Sequence, residues 1–171
     1  IEEQLDSVGS LDQDRIIRSY VNVISATLRT NYYQTDATGA FKPYLSFKID
    51  ARKVNGMPLP RPLFEIYVYS PTVEGIHLRG GRVARGGLRW SDRMDDYRTE
   101  VLGLMKAQMV KNTVIVPVGS KGGFVVKKNI AELSREQQMA EVIGCYQTFL
   151  RGLLDITDNY KGGGIVPPDN L

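Results

Sequence analysis

The feature that most constrains the fold is a block over residues 85–124 in which two glycine pairs each follow a cation. Arg85 precedes Gly86-Gly87, and Lys121 precedes Gly122-Gly123. Glycine pairs let the backbone turn sharply or approach a ligand closely. Cations held beside such turns suit a small dicarboxylic acid, so the block predicts a compact anion-binding site.

Hydrophobic periodicity predicts an α/β domain with a mixed sheet flanked by helices, formed by residues 1–171 as a single domain. A stripe at i, i+3, i+4 and i+7 predicts a first helix from about Leu11 to Thr30. Ser134 and Gln137 form a capping box before the last helix. The other predicted elements are strands at Leu45–Ile49, Phe64–Val68 and Ile76–Arg79, a helix at Asp92–Lys111, a strand at Val114–Val116, a loop at Gly119–Gly123 and a strand at Phe124–Val126.

Composition excludes few classes of function. The net charge of +3 and the pI of about 9.0 come without any run of five basic residues, so nucleic-acid binding has no support beyond the pI. The single cysteine, Cys145, excludes an internal disulfide and fits a reducing compartment, which predicts a cytoplasmic protein. No apolar run reaches 18 residues, so we expect no membrane span.

The helix at Asp92–Lys111 places two polar residues on its apolar stripe. At 100° per residue, Gln108 and Lys111 lie on the same side as Tyr97, whereas Lys106 lies opposite. A lysine on the buried side is costly unless it is paired, as it would be with a bound anion. The alternative, which periodicity alone favours, is that Lys111 extends past the helix end and balances the helix dipole.

The glycine-flanked Lys121 also has two interpretations. A lysine in a dry pocket near other cations has a lowered pKa and can act as a base, whereas in isolation it is more often a solvated loop lysine. A phosphate-binding loop is not supported, because glycine rather than serine or threonine follows Lys121. Gly162–Gly164 lacks the spacing of a dinucleotide fingerprint.

Nearby residues favour structural roles. We expect Arg89 to form an ion pair with a local aspartate, Cys145 to pack in the core, and His77 to be a satisfied strand residue. Trp90 is expected in the core, with the wall of a pocket as the alternative. One histidine and one cysteine make a metal site unexpected.

The chain resembles the very large NAD-specific glutamate dehydrogenases of bacteria in three blocks, RVARGGLRWSDR, RTEVLGLMKAQMVKN and VIVPVGSKGGFVVKK. The flanking runs RPLFEIYVYS, VEGIHLRGG and CYQTFLRGLLDITDN extend the resemblance over nearly everything after Leu11. The smaller glutamate dehydrogenases share the pattern Lys-Gly-Gly-x-Arg, Gln-x-x-Lys-Asn and Gly-x-Lys-Gly-Gly.

The resemblance implies roles for individual residues. Lys121 corresponds to the catalytic lysine, and Gln108 and Lys111 to the residues that hold the α-carboxylate of the substrate. Arg85 stands where the smaller enzymes have a lysine that meets the side-chain carboxylate. Gly86-Gly87 would let the backbone approach the substrate. The family's catalytic aspartate has no counterpart that we can identify.

The resemblance implies that the longer protein is an enzyme that converts L-glutamate to 2-oxoglutarate and ammonia with NAD. The chain would be part of its substrate-binding domain, with NAD bound mainly by a domain that this sequence lacks. Alone it should be inactive, and the full-length enzyme is expected to be a homo-oligomer. Alternatives are another amino-acid dehydrogenase, which Arg85 disfavours, and a non-catalytic dicarboxylate-binding or assembly module.

Overall fold

The computed structural model describes residues 5–111 and 118–171. This part of the chain contains three α-helices, nine strands and one short 3-10 helix at Ala51–Lys53. The helices are α1 (Leu11–Ala26), α2 (Tyr97–Lys111) and α3 (Arg135–Asp155). The strands are β1 (Thr27–Thr30), β2 (Leu45–Ile49), β3 (Phe64–Tyr69), β4 (Val73–Arg79), β5 (Ala84–Arg85), β6 (Leu88–Trp90), β7 (Val118–Val126), β8 (Asn159–Lys161) and β9 (Gly164–Val166).

Seven strands form one mixed sheet, as the sequence predicts. Strands β1, β2, β3, β4 and β7 are neighbours in that order and run antiparallel. The short strands β5 and β6 both pair with the far edge of β7, and both run parallel to it. Strands β8 and β9 form a separate hairpin. Strand β7 is therefore bonded on both sides.

Helices α2 and α3 cover opposite faces of this sheet, which gives three layers. Side chains of α2 pack with alternate residues of β4 and β7 in one apolar cluster. This α2-side cluster consists of Ile76, Leu78, Tyr97, Val101, Leu102, Met105 and Val125. The α3-side cluster consists of Ile66, Val68, Val73, Phe124, Val126, Val142, Cys145, Phe149 and Ile156. The sheet thus buries both faces, and burial of this kind is the main stabilising term in folding.

Close packing of α3 depends on two glycines. A Cβ added to Gly75 in β4 would lie 2.8 Å from two ring atoms of Phe149. A Cβ added to Gly152 in α3 would lie 2.6 Å from both the Ser46 hydroxyl and a Val68 methyl. Both distances are too short for a real contact, so each glycine lets helix and sheet approach more closely than alanine would.

The first helix is shorter than the sequence predicts. It ends at Ala26, and residues 27–30 form β1, which pairs with β2. Residues 27–30 form their backbone hydrogen bonds with β2 instead of within a longer helix. The threonines at both ends of β1 also favour a strand. The apolar stripe of α1 is exposed, with Tyr20 and Ile24 each more than two-thirds accessible. The periodicity thus correctly indicates a helix here, although its apolar stripe is not buried by the described residues.

The other differences concern α2 and β7. Helix α2 begins at Tyr97 rather than Asp92, because turns occupy the residues just before it. The predicted loop at Gly119–Gly123 is wrong, since β7 is one strand of nine residues. The predicted strand at 114–116 lies outside the described residues. The capping box at Ser134 is confirmed, because its hydroxyl accepts from the Gln137 amide and the Gln137 side chain accepts from the Ser134 amide.

Candidate functional site

Two of the predicted site cations lie on the face of the sheet that α2 covers. Lys121 is in β7, and Arg85 of β5 lies beside Gly119 of that strand. Gly119 and Gly123 both face α2, because a Cβ built on either would meet atoms of that helix. Side chains alternate along a strand, so Lys121 and Arg85 share this face. Their backbones are separated by about 7 Å along the strand direction, a distance that two long side chains can bridge.

The first glycine pair shapes this region in two different ways. A Cβ on Gly86 would lie only 1.6 Å from the carbonyl oxygen of Ser120, so Gly86 lets β7 come very close. A Cβ on Gly87 would meet only the Lys121 amine, at 4.0 Å. The Gly122 amide donates to the Gly87 carbonyl at 3.1 Å. Gly86 therefore allows its own segment to pack closely against the backbone of β7, and Gly87 leaves open space beside the Lys121 amine.

Helix α2 brings the remaining predicted residues to the same region. A Cβ on Gly119 would lie 3.0 Å from the carbonyl carbon and 3.1 Å from the Cβ of Gln108, so the helix rests directly on β7 there. Gln108 is half-buried, and Lys111, one turn later on the same face, is exposed at the helix end. Lys106 is exposed as well. The exposure of Lys111 agrees with the alternative that it extends past the helix end.

The three cations of this region lack acidic partners. Within residues 5–111 and 118–171, the side chains of Arg85, Lys111 and Lys121 form no ion pair or hydrogen bond. The adjacent Arg89 differs, because its Nε lies 3.0 Å from Oε1 of Glu100. Uncompensated positive charge in one region attracts anions. The region therefore attracts anions, as the sequence predicts for a cation-rich site.

The ion pair predicted for Arg89 is confirmed, but its partner is a glutamate of α2 rather than an aspartate. Glu100 has a side chain only 13% exposed, and its second oxygen accepts a 2.6 Å hydrogen bond from the Ser91 hydroxyl. Sequence reasoning missed both Glu100 and Ser91. The one available signal was an acidic residue in the first turn of the helix that follows Arg89.

His77 lies opposite Gly122 in the β4–β7 register, on the α3 side of the sheet and away from Lys121. Its Nδ1 is buried and has no partner in the described part of the chain, so the prediction of a satisfied histidine is wrong. Burial, with a smaller effect of Arg79, lowers the pKa of His77 to about 4. The imidazole is therefore neutral at neutral pH.

The two other residues expected in the core behave differently. Trp90 is 44% exposed at the end of β6, where it lines a pocket with Met94 and Ile130, so the core prediction is wrong and the alternative of a pocket wall agrees with the structure. Cys145 is buried in the α3-side cluster, as predicted. Its Sγ donates to the Thr72 carbonyl at 3.5 Å, and burial raises the pKa of the thiol.

The glycine run at residues 162–164 is not a dinucleotide-binding loop. Gly162 and Gly163, with φ of +61° and +84°, form the turn between β8 and β9, and a strand follows them. A dinucleotide site needs a helix N-terminus after the glycine-rich turn. Over residues 5–111 and 118–171 there is also no group of three His, Cys, Asp or Glu residues that could hold a metal ion. None of the helices described here has the length and apolar character needed to cross a bilayer.

Comparison with known proteins gives one consistent family. The NAD-specific glutamate dehydrogenases of Halomonas elongata and Pseudomonas aeruginosa are each 60% identical over 167 residues, which cover 98% of this chain and 10% of theirs. The enzyme of the same name from Mycobacterium tuberculosis is 54% identical over 179 aligned positions, which cover the whole chain and 11% of that protein. The chain thus spans about a tenth of the length of these curated relatives.

The family described as "Bacterial NAD-glutamate dehydrogenase, catalytic domain" matches residues 1–171. That match includes the two glycine pairs, the cations before them and the helix that carries Gln108. From its match over the full length and its identity with these relatives, the chain belongs to the bacterial NAD-glutamate dehydrogenase family.

Proposed function

We propose that this chain is the substrate-binding segment of an NAD-dependent glutamate dehydrogenase, which converts L-glutamate reversibly to 2-oxoglutarate and ammonia. The observation that carries the proposal is a set of three cations, Arg85, Lys111 and Lys121, around the contact of α2 with β7, none of which is paired with another residue of the described ranges. L-glutamate and 2-oxoglutarate each carry two carboxylates, which such a set can bind by charge-assisted hydrogen bonds. The family to which the chain belongs supports the same substrate.

Each carboxylate has a candidate partner on a different element. Arg85, on β5, is the candidate for the side-chain carboxylate, where a guanidinium can form two parallel hydrogen bonds. Gln108 and Lys111, near the end of α2, are the candidates for the α-carboxylate. Two fixed contacts orient the bond at Cα that reacts, and this orientation is where such a site lowers the barrier.

Lys121 is the candidate for proton transfer. It projects from a strand bonded on both sides, and the space beside its amine is kept free by Gly87. A substrate held between Arg85 and α2 would bring its amino group and Cα near this amine. In this role Lys121 accepts and returns protons at the substrate nitrogen and at the attacking water.

The cofactor of the proposed reaction is NAD, which would be held by a part of the longer protein outside this chain. In this proposal the residues described here bind and orient the amino acid. A soluble, homo-oligomeric, cytoplasmic enzyme remains our expectation for the longer protein.

The test is glutamate-dependent NADH formation by the full-length protein and by two lysine variants. Lys121→Ala should lower kcat by a factor of about 10²–10⁴, the usual contribution of a positioned acid-base group. Lys106→Ala, which removes an exposed lysine from α2, should leave kcat nearly unchanged.

Two results would contradict the proposal. Absence of glutamate-dependent NADH formation by the wild-type protein would reject the reaction. Near-normal kcat in Lys121→Ala would leave the reaction intact but remove Lys121 from its proposed role.

A further inference from the structure

The side chain of Glu100 connects two elements that carry different parts of the proposed site. Its Oε1 lies 3.0 Å from Nε of Arg89, and its Oε2 accepts from the Ser91 hydroxyl at 2.6 Å. Arg89 is in β6, and Ser91 follows β6 directly. Glu100 itself belongs to the first turn of α2. Both carboxylate oxygens are thus used to hold β6 against α2.

Both elements that Glu100 joins are close in sequence to a residue proposed to bind a substrate carboxylate. Strand β6 follows Gly86-Gly87 directly, and Arg85 precedes that pair. At the other end, Gln108 lies eight residues beyond Glu100 on α2, about 12 Å along the helix. A shift of α2 along β6 would therefore change the distance between Arg85 and Gln108.

The contacts of Glu100 hold α2 at a fixed place relative to the sheet. The Ser91 amide donates to the Phe124 carbonyl of β7 at 2.9 Å, so Ser91 is fixed to the sheet independently of Glu100. The Glu100 side chain is 13% exposed, and an ionised acceptor shielded from water makes stronger hydrogen bonds than an exposed one. Backbone pairing of β5 and β6 with β7 fixes the strands to each other, whereas Glu100 fixes the helix to them.

We propose that Glu100 is a positioning residue that, through Arg89 and Ser91, sets the separation of the two carboxylate-binding elements. It thereby selects the chain length of the dicarboxylic amino acid that the site accepts. The inference rests on the proposed function. It also assigns Arg89 to the support of the site rather than to contact with the substrate.

The test compares Glu100→Gln with wild type in the full-length protein. The substrates are aspartate, glutamate and 2-aminoadipate, which differ by one methylene in each step. A misplacement of about 1 Å costs on the order of 100-fold in rate, so kcat for glutamate should fall by about 10- to 100-fold with a smaller change in KM. The preference for glutamate over the shorter and longer acids should narrow by about tenfold, the scale on which a pocket discriminates one methylene.

Glu65→Gln is the matched control. Glu65 is also almost buried and also bonds an arginine of α2, with Arg98 donating from Nε at 2.9 Å and from Nη2 at 2.6 Å. It ties α2 to β3, however, and leaves the contact with β6 intact. This variant should lower the thermal unfolding temperature to a similar extent, while kcat and the chain-length preference stay within about twofold of wild type, as for a site away from the reacting groups.

Arg89→Gln provides a second variant if Glu100→Gln does not fold, because Arg89 is half-exposed and easier to replace. It should narrow the chain-length preference as Glu100→Gln does. Unchanged preference in an active Glu100→Gln or Arg89→Gln variant would overturn the inference, as would equal effects of Glu65→Gln and Glu100→Gln. Lack of wild-type activity on glutamate would instead reject the proposed function, and this inference with it.

Discussion

Replacement of Gly86 by alanine is the most direct test of how this site is assembled. The added Cβ would lie 1.6 Å from the carbonyl oxygen of Ser120 and 2.5 Å from its carbonyl carbon. Both atoms belong to the backbone of β7, so no side-chain rotation can relieve the clash. Even a tight contact of 3.0 Å requires the two segments to separate by about 1.4 Å.

That separation moves the segment with Arg85 away from the strand with Lys121. A misplacement of about 1 Å at a catalytic site costs on the order of 100-fold in rate. We therefore expect Gly86→Ala to lower kcat/KM for glutamate by at least about 100-fold, or roughly 2.7 kcal/mol of transition-state stabilisation. The overpacking should also cost about 1–3 kcal/mol in the free energy of unfolding.

The assay is NADH formation by the full-length protein at several glutamate concentrations, with Gly103→Ala as the control. Gly103 lies in α2, where an added Cβ would meet nothing within 4 Å. Alanine there should be neutral for activity and should stabilise the helix by up to about 1 kcal/mol. If Gly86→Ala kept kcat/KM within about threefold of Gly103→Ala, the close approach of these two backbones would not be what builds the site.

Two further predictions concern charge. Arg85→Met should weaken turnover of glutamate more than that of norvaline, which lacks the side-chain carboxylate, because Arg85 is exposed and a hydrogen bond to a charged group contributes about 1.5–3 kcal/mol. Equal losses for both substrates, measured as kcat/KM, would show that Arg85 does not bind this carboxylate. His77 has a pKa of about 4 in the folded chain, below its ordinary 6.5, so the unfolded chain binds more protons and stability falls as pH drops from about 6.5 towards 4. In denaturant titrations of the 171-residue chain, this fall should exceed that of His77→Gln by up to roughly 3 kcal/mol, and parallel pH profiles of the two chains would contradict the burial argument.

The sequence predicts the layers of this fold well because its strongest patterns are local. Alternation from Leu45 to Ile49 predicts β2 with its observed bounds, and the capping box at Ser134 correctly marks the start of α3. These signals depend on neighbours within one turn or one strand. Predictions from these signals are correct because tertiary packing does not change the local structure at these positions.

The glycines of β7 show why the rest could not be predicted. Gly119, Gly122 and Gly123 indicate a loop by local preference, yet they lie inside a central strand. Each one faces a close neighbour that is distant in sequence: α2 approaches Gly119 and Gly123, and Leu88 with His77 approaches Gly122. Only the packed structure reveals that these glycines provide room rather than flexibility.

The roles of Glu100 and Trp90 also depend on residues that are distant in sequence. Glu100 bonds Arg89 of β6 and Ser91, which directly follows that strand. Trp90 is exposed because β6 is short and lies at the sheet edge. For the proposed roles of Lys121, Gln108 and Arg85, resemblance to a family gave the assignment. The alternation of β7 and the helical spacing of α2 are compatible with it, but neither identifies a substrate.

The bonding of β7 on both sides has a consequence for how the site can move. The amide of Gly122, next to Lys121, is bonded to the Gly87 carbonyl, and the strand pairs with β4 along its other side. Its amides should therefore exchange with solvent deuterium only through large-scale opening of the sheet, on the slow timescale of the most protected part of the chain. Any movement around a bound amino acid then has to come from elements other than β7, so that the backbone of Lys121 stays in place during the cycle.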